Sequence, residues 1–158
     1  ALVEQLRSAI PDLALTTDIM VGFCGENAED FRQTCEVMES VRFDSAFMFK
    51  YSERSGTQAN RKIEDDVPEE VKGERLAHII QLQERISREI NDSWIGSTVE
   101  ILVEGVSKKP PVDGRQSTFG RSPQMKTVIF PQPAEPNSLV SIAVNEVTSH
   151  TLFGNLSS

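Results

Sequence analysis

Cysteine is scarce in this sequence, and long apolar runs are absent. The 158 residues include two cysteines, Cys24 and Cys35. Because an iron–sulfur cluster is typically held by about four thiolates, these two cannot hold one alone, and we expect both to be reduced and buried. No apolar run approaches the roughly 20 residues of a transmembrane helix, and Glu4 and Arg7 interrupt any signal-peptide pattern. We therefore expect a cytoplasmic protein with no membrane partner.

Positive charge is also in short supply, and the deficit lies in the first part of the chain. The formal net charge is −8. Residues 1–93 contain 11 Lys and Arg against 19 Asp and Glu, whereas residues 94–158 contain five of each. The resulting pI near 4.8 argues against a general polyanion-binding protein. The neutral tail still leaves room for a local basic patch.

The first third of the chain alternates helix and strand patterns. Residues 2–9 have apolar side chains at helical spacing, and residues 13–23 and 45–51 are rich in apolar and β-branched side chains. Between them, Asn27 is a good N-cap, with Asp30 three residues later at the capping-box position. This order favours an α/β fold. It predicts two strands of a parallel sheet that are buried on both faces.

A long helix follows a polar stretch. We predict that residues 52–66 are irregular and that their acidic run, residues 64–66, is solvated. Pro68 fits the first helical position, and the helix runs to about Ser93. Its predicted buried stripe consists of Leu76, Ile79, Ile80, Ile86 and Ile90.

The pattern changes again at Trp94. Residues 98–104 alternate apolar and polar side chains, and residues 126–130 and 139–147 repeat this strand signature. Glycine and proline punctuate the intervening segments. Short strands with such turns predict a small β-barrel, with a domain boundary near residue 94.

Two segments carry candidate chemistry. The sequence TDIMVGFCGE occupies residues 17–26, and YSERSGT occupies residues 51–57. Each lies at the C-terminal end of a predicted parallel strand, which is where α/β barrels bind ligands. Glycine lets a flat cofactor approach the backbone, and Arg54 can hold a carboxylate or phosphate. Taken singly, each segment also fits an ordinary turn or a solvated loop.

Taken together, TDIMVGFCGENAEDF and FDSAFMFKYSERSGT resemble the late half of the radical S-adenosylmethionine (SAM) methylthiotransferase core. That family usually has VGFPGET and YSxRPGT, so Cys24 and Ser55 stand at usual proline positions. Residues 67–88 resemble the family's linker helix. The segments GSTVEILVEGVSKK, FGRSPQMKTVIFP and SHTLFGNL resemble its terminal TRAM domain, a small β-barrel that binds RNA.

The resemblance implies an organisation for the whole chain. Residues 1–66 would be an α/β partial barrel, the last β/α units of a radical SAM TIM-like barrel; residues 67–93 would be the linker helix, and residues 94–158 an OB-like TRAM barrel. Because Ala1 is not Met and a helix is already under way there, we expect a piece of a longer protein. Strands cut from a larger sheet expose edges and apolar faces, so we expect residues 1–60 to be loosely ordered or to self-associate.

The resemblance also implies cofactors. In this family a 4Fe-4S cluster reductively cleaves SAM, the resulting radical attacks a C–H bond, and a second cluster supplies the inserted sulfur. The cluster ligands would all lie outside this chain, which would therefore hold no metal ligand or catalytic residue and be inactive alone. The positions that match SAM-site motifs are Asp18, Gly22, Gly25, Glu26, Tyr51, Ser52 and Arg54. By strand alternation, we expect Asp18, Met20 and Gly22 to share one face.

The implied partner is tRNA, contacted at its anticodon stem-loop. Cations bind phosphates and exposed aromatic rings stack on bases. The candidate RNA-binding residues are Lys108, Lys109, Arg115, Phe119, Arg121 and Lys126. The alternative is a solvated hairpin with Phe119 in the core.

Within the family, the MiaB type adds a methylthio group to isopentenyladenosine beside the anticodon. The string SAFMFKYS resembles this type more than the other tRNA enzyme, and Arg54 stands where the ribosomal-protein enzymes tend to carry an acid. One alternative is a sister enzyme that acts on threonylcarbamoyladenosine in tRNA or on an aspartate of a ribosomal protein. A second alternative, from another class, is a stand-alone RNA-binding module.

Overall fold

A computed structural model of the chain describes residues 2–107 and 116–157. In chain order the elements are α1 (Leu2–Ala9), β1 (Thr16–Val21), α2 (Ala28–Val41), β2 (Ser45–Lys50), α3 (Gln58–Lys62), α4 (Glu69–Asp92), β3 (Thr98–Val106), β4 (Thr118–Arg121), β5 (Thr127–Phe130), β6 (Leu139–Val147) and β7 (Thr151–Leu156). They form two compact units. One comprises Leu15–Ile86, and the other comprises the chain through Ala14 together with the chain from Ser87 onward.

The first unit is built on a β–α–β motif. Strands β1 and β2 pair in parallel, from Thr16 opposite Ser45 to Val21 opposite Lys50. Helix α2 connects them. Asn27 caps this helix: its side chain accepts hydrogen bonds from the second and third helical N–H groups, and the Asp30 carboxylate accepts one from the Asn27 N–H. The predicted α/β order and capping box are thus confirmed.

The two strands are covered on one face only, so the prediction of burial on both faces is wrong. In β1, exposed and half-buried side chains alternate up to the buried Val21. In β2, Phe47 and Phe49 are 67% and 52% exposed, and Met20 of β1 is 53% exposed. A run of apolar residues shows that a strand has two apolar faces but not that a neighbour covers each of them. We call Met20, Phe47 and Phe49 the open apolar face.

The polar stretch and the long helix differ from their predictions in detail. Residues 52–66 are not irregular throughout, because they contain the short helix α3, capped by the Thr57 hydroxyl. Helix α4 begins at Glu69, so Pro68 precedes it, and the Pro68 carbonyl accepts the hydrogen bond from the Lys72 N–H at 3.0 Å. Of the predicted stripe, Ile79 and Ile86 are fully buried, whereas Ile80 is 37% exposed.

The second unit contains a closed five-stranded barrel with the strand order β3-β4-β5-β7-β6. All pairs are antiparallel except β5 with β7, which is parallel. The predicted alternation of β3 is confirmed, since Val99, Ile101 and Val103 point into the core and their neighbours are exposed. Trp94 packs against this core.

Two glycines let barrel strands approach closely. A Cβ atom at Gly154 would lie 2.2 Å from the Ala143 carbonyl oxygen, and one at Gly120 would lie 2.3 Å from that of Leu102. No other residue fits these positions without movement of the partner strand. In the part of the chain that the structure describes, no helix is both long and apolar enough to cross a bilayer.

Candidate functional site

The glycine-containing segment after β1 forms a tight turn, which we call the Gly22–Glu26 turn. Gly22 and Gly25 have φ of +72° and +82°, a region that side chains with a Cβ rarely adopt. The Glu26 N–H donates to the Phe23 carbonyl at 2.9 Å, and the Gly22 N–H donates to Glu26 Oε2 at 2.9 Å. The turn is therefore closed by its own backbone and by one carboxylate.

The Glu26 carboxylate has a second partner on α4. Arg75 donates to Glu26 Oε1 at 2.7 Å and to the Glu26 carbonyl at 2.9 Å. The two side chains are only 12% and 11% exposed, so the pair is largely shielded from water. Glu26 was predicted to contact the cofactor. In the structure one of its carboxylate oxygens accepts from the Gly22 N–H and the other accepts from Arg75, so the side chain stabilises the turn.

A second cation of α4, Lys72, contacts the same turn. Its ammonium pairs with Asp65 and lies 5.3 Å from the centre of the Tyr51 ring. Nearby, the Asp66 carboxylate accepts the Gly25 N–H at 2.7 Å. The prediction of a solvated acidic run is therefore wrong for Asp65, which is half-buried, whereas Asp66 is exposed as predicted although its carboxylate is hydrogen-bonded.

The two predicted motifs meet at one edge of the sheet. The Tyr51 N–H, just after β2, donates to the carbonyl of Val21, the last residue of β1, at 2.8 Å. The rings of Phe23 and Tyr51 contact edge to face, with their centres 4.9 Å apart. The Cys24 thiol beside the Tyr51 hydroxyl raises the pKa of that phenol, and burial adds to the shift, so the phenol is protonated at neutral pH.

A cleft of about 460 Å³ opens between these motifs. Its apolar wall includes Met20, Phe23 and Phe49, and its polar side includes Tyr51, Ser52 and Arg54. Met20 and Phe49 belong to the open apolar face. Flat apolar walls with a few polar groups are typical of sites for small organic cofactors. The guanidinium of Arg54 can bind a carboxylate or a phosphate.

Three of the predicted cofactor residues, Tyr51, Ser52 and Arg54, thus line one cleft. Gly22, Gly25 and Glu26 form the adjoining turn. Asp18 shares the exposed face of β1 with Met20 but borders a different cleft, beside α2. Gly22 does not share that face, because β1 ends at Val21 and Gly22 is buried against Lys72.

Sequence reasoning missed Lys72, Arg75, Asp65 and Asp66. The only signal for the two cations was their spacing of three residues, which places both on one side of a helix. Both cysteines are free and half-buried rather than buried as predicted. Among residues 2–107 and 116–157, no three His, Cys, Asp or Glu side chains converge as metal ligands do.

The candidate nucleic-acid interface lies on the barrel. Phe119 and Arg121 of β4 are two residues apart and share its outward, half-buried face, and Lys126 directly precedes β5. Arg121 pairs with Glu104 at 3.0 Å, and both side chains remain more than a third exposed. Phe119 is not part of the barrel core. The other predicted cations, Lys108, Lys109 and Arg115, lie outside the described residues.

Comparisons with known proteins agree with this architecture. Residues 92–156 match the family model of the TRAM domain. The chain is 48% identical over 155 residues to the tRNA-2-methylthio-N(6)-dimethylallyladenosine synthase of Porphyromonas gingivalis. That alignment covers 98% of the chain and 33% of the relative. It is 47% identical over 156 residues to the synthase of the same name from Acetivibrio thermocellus, covering 98% and 32%.

A third relative of that name, from Bacteroides fragilis, is 46% identical over 153 residues, covering 96% of the chain and 33% of the relative. The chain thus spans about a third of the length of the curated relatives it matches. By these matches, the chain is a homologue of the tRNA-2-methylthio-N(6)-dimethylallyladenosine synthases and carries a TRAM domain.

Proposed function

We propose that this chain is the SAM-rim and RNA-binding part of a tRNA methylthiotransferase that modifies isopentenyladenosine next to the anticodon. The observation that carries the proposal is the convergence of the two motifs on one edge of the parallel sheet, around a cleft that includes Arg54. The names of the relatives support the choice of nucleoside. The compartment that fits a tRNA substrate is the cytoplasm.

In this proposal the chain's own residues bind and orient SAM. Met20, Phe23 and Phe49 take the adenine ring, Arg54 takes the carboxylate, and the Gly22–Glu26 turn brings backbone close to the ligand. When bound, SAM supplies the radical that activates the substrate C–H bond, with two 4Fe-4S clusters held by residues outside this chain. Protein groups of this kind position a cofactor and exclude side reactions.

We further propose three functional segments. Residues 1–66 belong to a radical SAM core, residues 67–93 form the connecting helix, and residues 94–158 form the RNA-binding barrel. The open apolar face of Met20, Phe47 and Phe49 supports the first assignment, because it is the surface that further strands of a larger barrel would cover. In isolation this face favours self-association of the chain.

The barrel's proposed task is to bind the anticodon stem-loop. Phe119 offers an aromatic edge for a base, while Arg121 and Lys126 offer charge for phosphates. Lys108, Lys109 and Arg115 add cations in the same part of the sequence. A stand-alone RNA-binding module has no separate observation in its favour.

The test is a chimera in which this chain replaces the C-terminal third of the P. gingivalis relative. It is expressed in a bacterium that lacks its own synthase, and nucleosides from total tRNA are analysed by mass spectrometry. We expect the 2-methylthio derivative of isopentenyladenosine. Methylthiolated threonylcarbamoyladenosine, or methylthio-aspartate in a ribosomal protein, would instead assign the chain to a sister enzyme.

A further inference from the structure

Two ion pairs that are largely shielded from water lie beside the proposed cofactor turn: Lys72 with Asp65, and Arg75 with Glu26. Lys72 and Arg75 sit three residues apart on α4, so their side chains leave the helix on the same side. Both reach the Gly22–Glu26 turn. Burying a charge is costly unless the charge is paired and hydrogen-bonded. Cations without a packing role would therefore lie in water on the exposed side of the helix.

Lys72 supports the turn through its aliphatic stem. A Cβ atom at Gly22 would lie 2.4 Å from Lys72 Cγ, so the bare glycine backbone packs directly on this side chain. The Lys72 side chain is only 4% exposed, and its ammonium is neutralised by Asp65 and faces the Tyr51 ring. Lys72 therefore contacts both predicted motifs, residues 17–26 through Gly22 and residues 51–57 through Tyr51.

Arg75 supports the turn through charge. Its guanidinium binds the carboxylate and the carbonyl of Glu26, and it lies 5.4 Å from the centre of the Phe31 ring on α2. The opposite carboxylate oxygen of Glu26 holds the Gly22 N–H. Arg75, Glu26 and Gly22 thus form one hydrogen-bonded chain from α4 to the first residue of the turn.

We propose that Arg75 and Lys72 are positioning residues that hold the Gly22–Glu26 turn in the shape that receives SAM. Arg75 acts through Glu26, and Lys72 acts as the surface on which Gly22 rests. Neither lines the cleft, so each affects the cofactor only through the turn. This inference rests on the proposed function of the cleft as a SAM site.

The experiment uses the full-length chimera described above, reconstituted with its clusters, and the variants Arg75→Met, Arg75→Lys and Arg85→Ala. Arg85 is the matched control: it lies ten residues after Arg75 on the same helix and pairs with Glu39 rather than with the turn, and it is more than half exposed. The dissociation constant for SAM is measured by equilibrium dialysis without turnover, and the KM values for SAM and for the tRNA substrate are measured separately, together with kcat.

We expect Arg75→Met to raise the KM for SAM on the order of tenfold or more, because small displacements of binding groups have effects of that size. The KM for tRNA should change less than about twofold, and Arg75→Lys should recover most of the loss. A merely structural role would instead reduce the active fraction and lower kcat equally for both substrates. Arg85→Ala should match the wild type in every parameter.

The route through Glu26 is tested by a double-mutant cycle. If Arg75 acts through this carboxylate, Arg75→Met combined with Glu26→Gln should be no worse than the more damaging single variant. Should Arg75→Met not accumulate as folded protein, Arg75→Gln, which keeps a donor for the Glu26 carbonyl, replaces it in every arm.

The outcomes separate this inference from the function on which it rests. A wild-type chimera that neither binds nor consumes SAM would overturn the proposed function. An active chimera in which Arg75→Met leaves the KM for SAM unchanged, or in which the two substitutions add independently, would overturn the positioning role alone.

Discussion

Replacing Gly154 by alanine should destabilise the barrel selectively. Gly154 on β7 pairs with Val144 on β6. A Cβ atom there would lie 2.2 Å from the Ala143 carbonyl oxygen and 2.6 Å from Ile142 Cγ2. The first neighbour is backbone, so β6 and β7 must separate to admit the methyl group.

The cost follows from that geometry. Overpacking a close contact typically costs about 1–3 kcal/mol, and a carbonyl locked in a closed barrel has little freedom to move. For a domain of this size, each 1 kcal/mol lowers the melting temperature by roughly 4–8 °C. We expect the barrel of Gly154→Ala to melt roughly 8–16 °C below the wild type, for a cost of about 2 kcal/mol.

Tryptophan fluorescence is the appropriate assay. The chain has a single tryptophan, Trp94, and it packs against the barrel core, so its emission reports the unfolding of that unit. The matched control is Gly73→Ala in α4, where a Cβ atom meets nothing within 4 Å. That substitution should be neutral or stabilise by up to about 1 kcal/mol. An unchanged Trp94 transition in Gly154→Ala would refute the steric reasoning.

Three further results are expected. Asn27→Ala removes the side-chain acceptor of the Glu29 and Asp30 N–H groups but keeps the backbone N–H that Asp30 accepts, and it should lower the stability of the first unit by about 1 kcal/mol, measured by circular dichroism in urea, with Thr34→Ala later in the same helix as control. The chain alone should self-associate in sedimentation velocity, and Phe47→Ser, which removes the most exposed aromatic ring of the open apolar face, should shift it towards monomer; a concentration-independent monomer would contradict this. Binding of an anticodon stem-loop should weaken steeply with salt, and Lys126→Ala should lower the slope by about one; a flat salt dependence would remove the barrel cations from the interface.

Local signals were sufficient for the elements whose stabilising contacts are close in sequence. The Asn27 cap and its Asp30 partner are three residues apart, and both are visible in the sequence. The alternation of β3 is likewise a local pattern with period two. In such cases a residue's nearest neighbours determine its structure.

The contacts that hold the candidate site are not local, and the sequence did not predict them. Glu26 and Arg75 are 49 residues apart, and nothing in either segment specifies the other. The Asp66 carboxylate accepts a hydrogen bond from the Gly25 N–H, 41 residues away in the sequence. Nothing in the acidic run itself indicates this contact. The prediction that β1 and β2 are buried on both faces failed for a related reason. The sequence of a strand does not specify which neighbours cover it.

The arrangement of charge and apolar surface around the rim explains why the two cations belong on α4. A cation that lined the cleft wall would have to be desolvated by a ligand each time the ligand binds there. Lys72 and Arg75 instead contact Gly22 and Glu26 without lining the cleft, where their charges are already neutralised by Asp65 and Glu26. The cost of removing these two charges from water is therefore incurred on folding rather than on ligand binding. Of the two cations that line the cleft, Lys50 pairs with Glu69, and Arg54 is the one we propose as the partner of a ligand carboxylate.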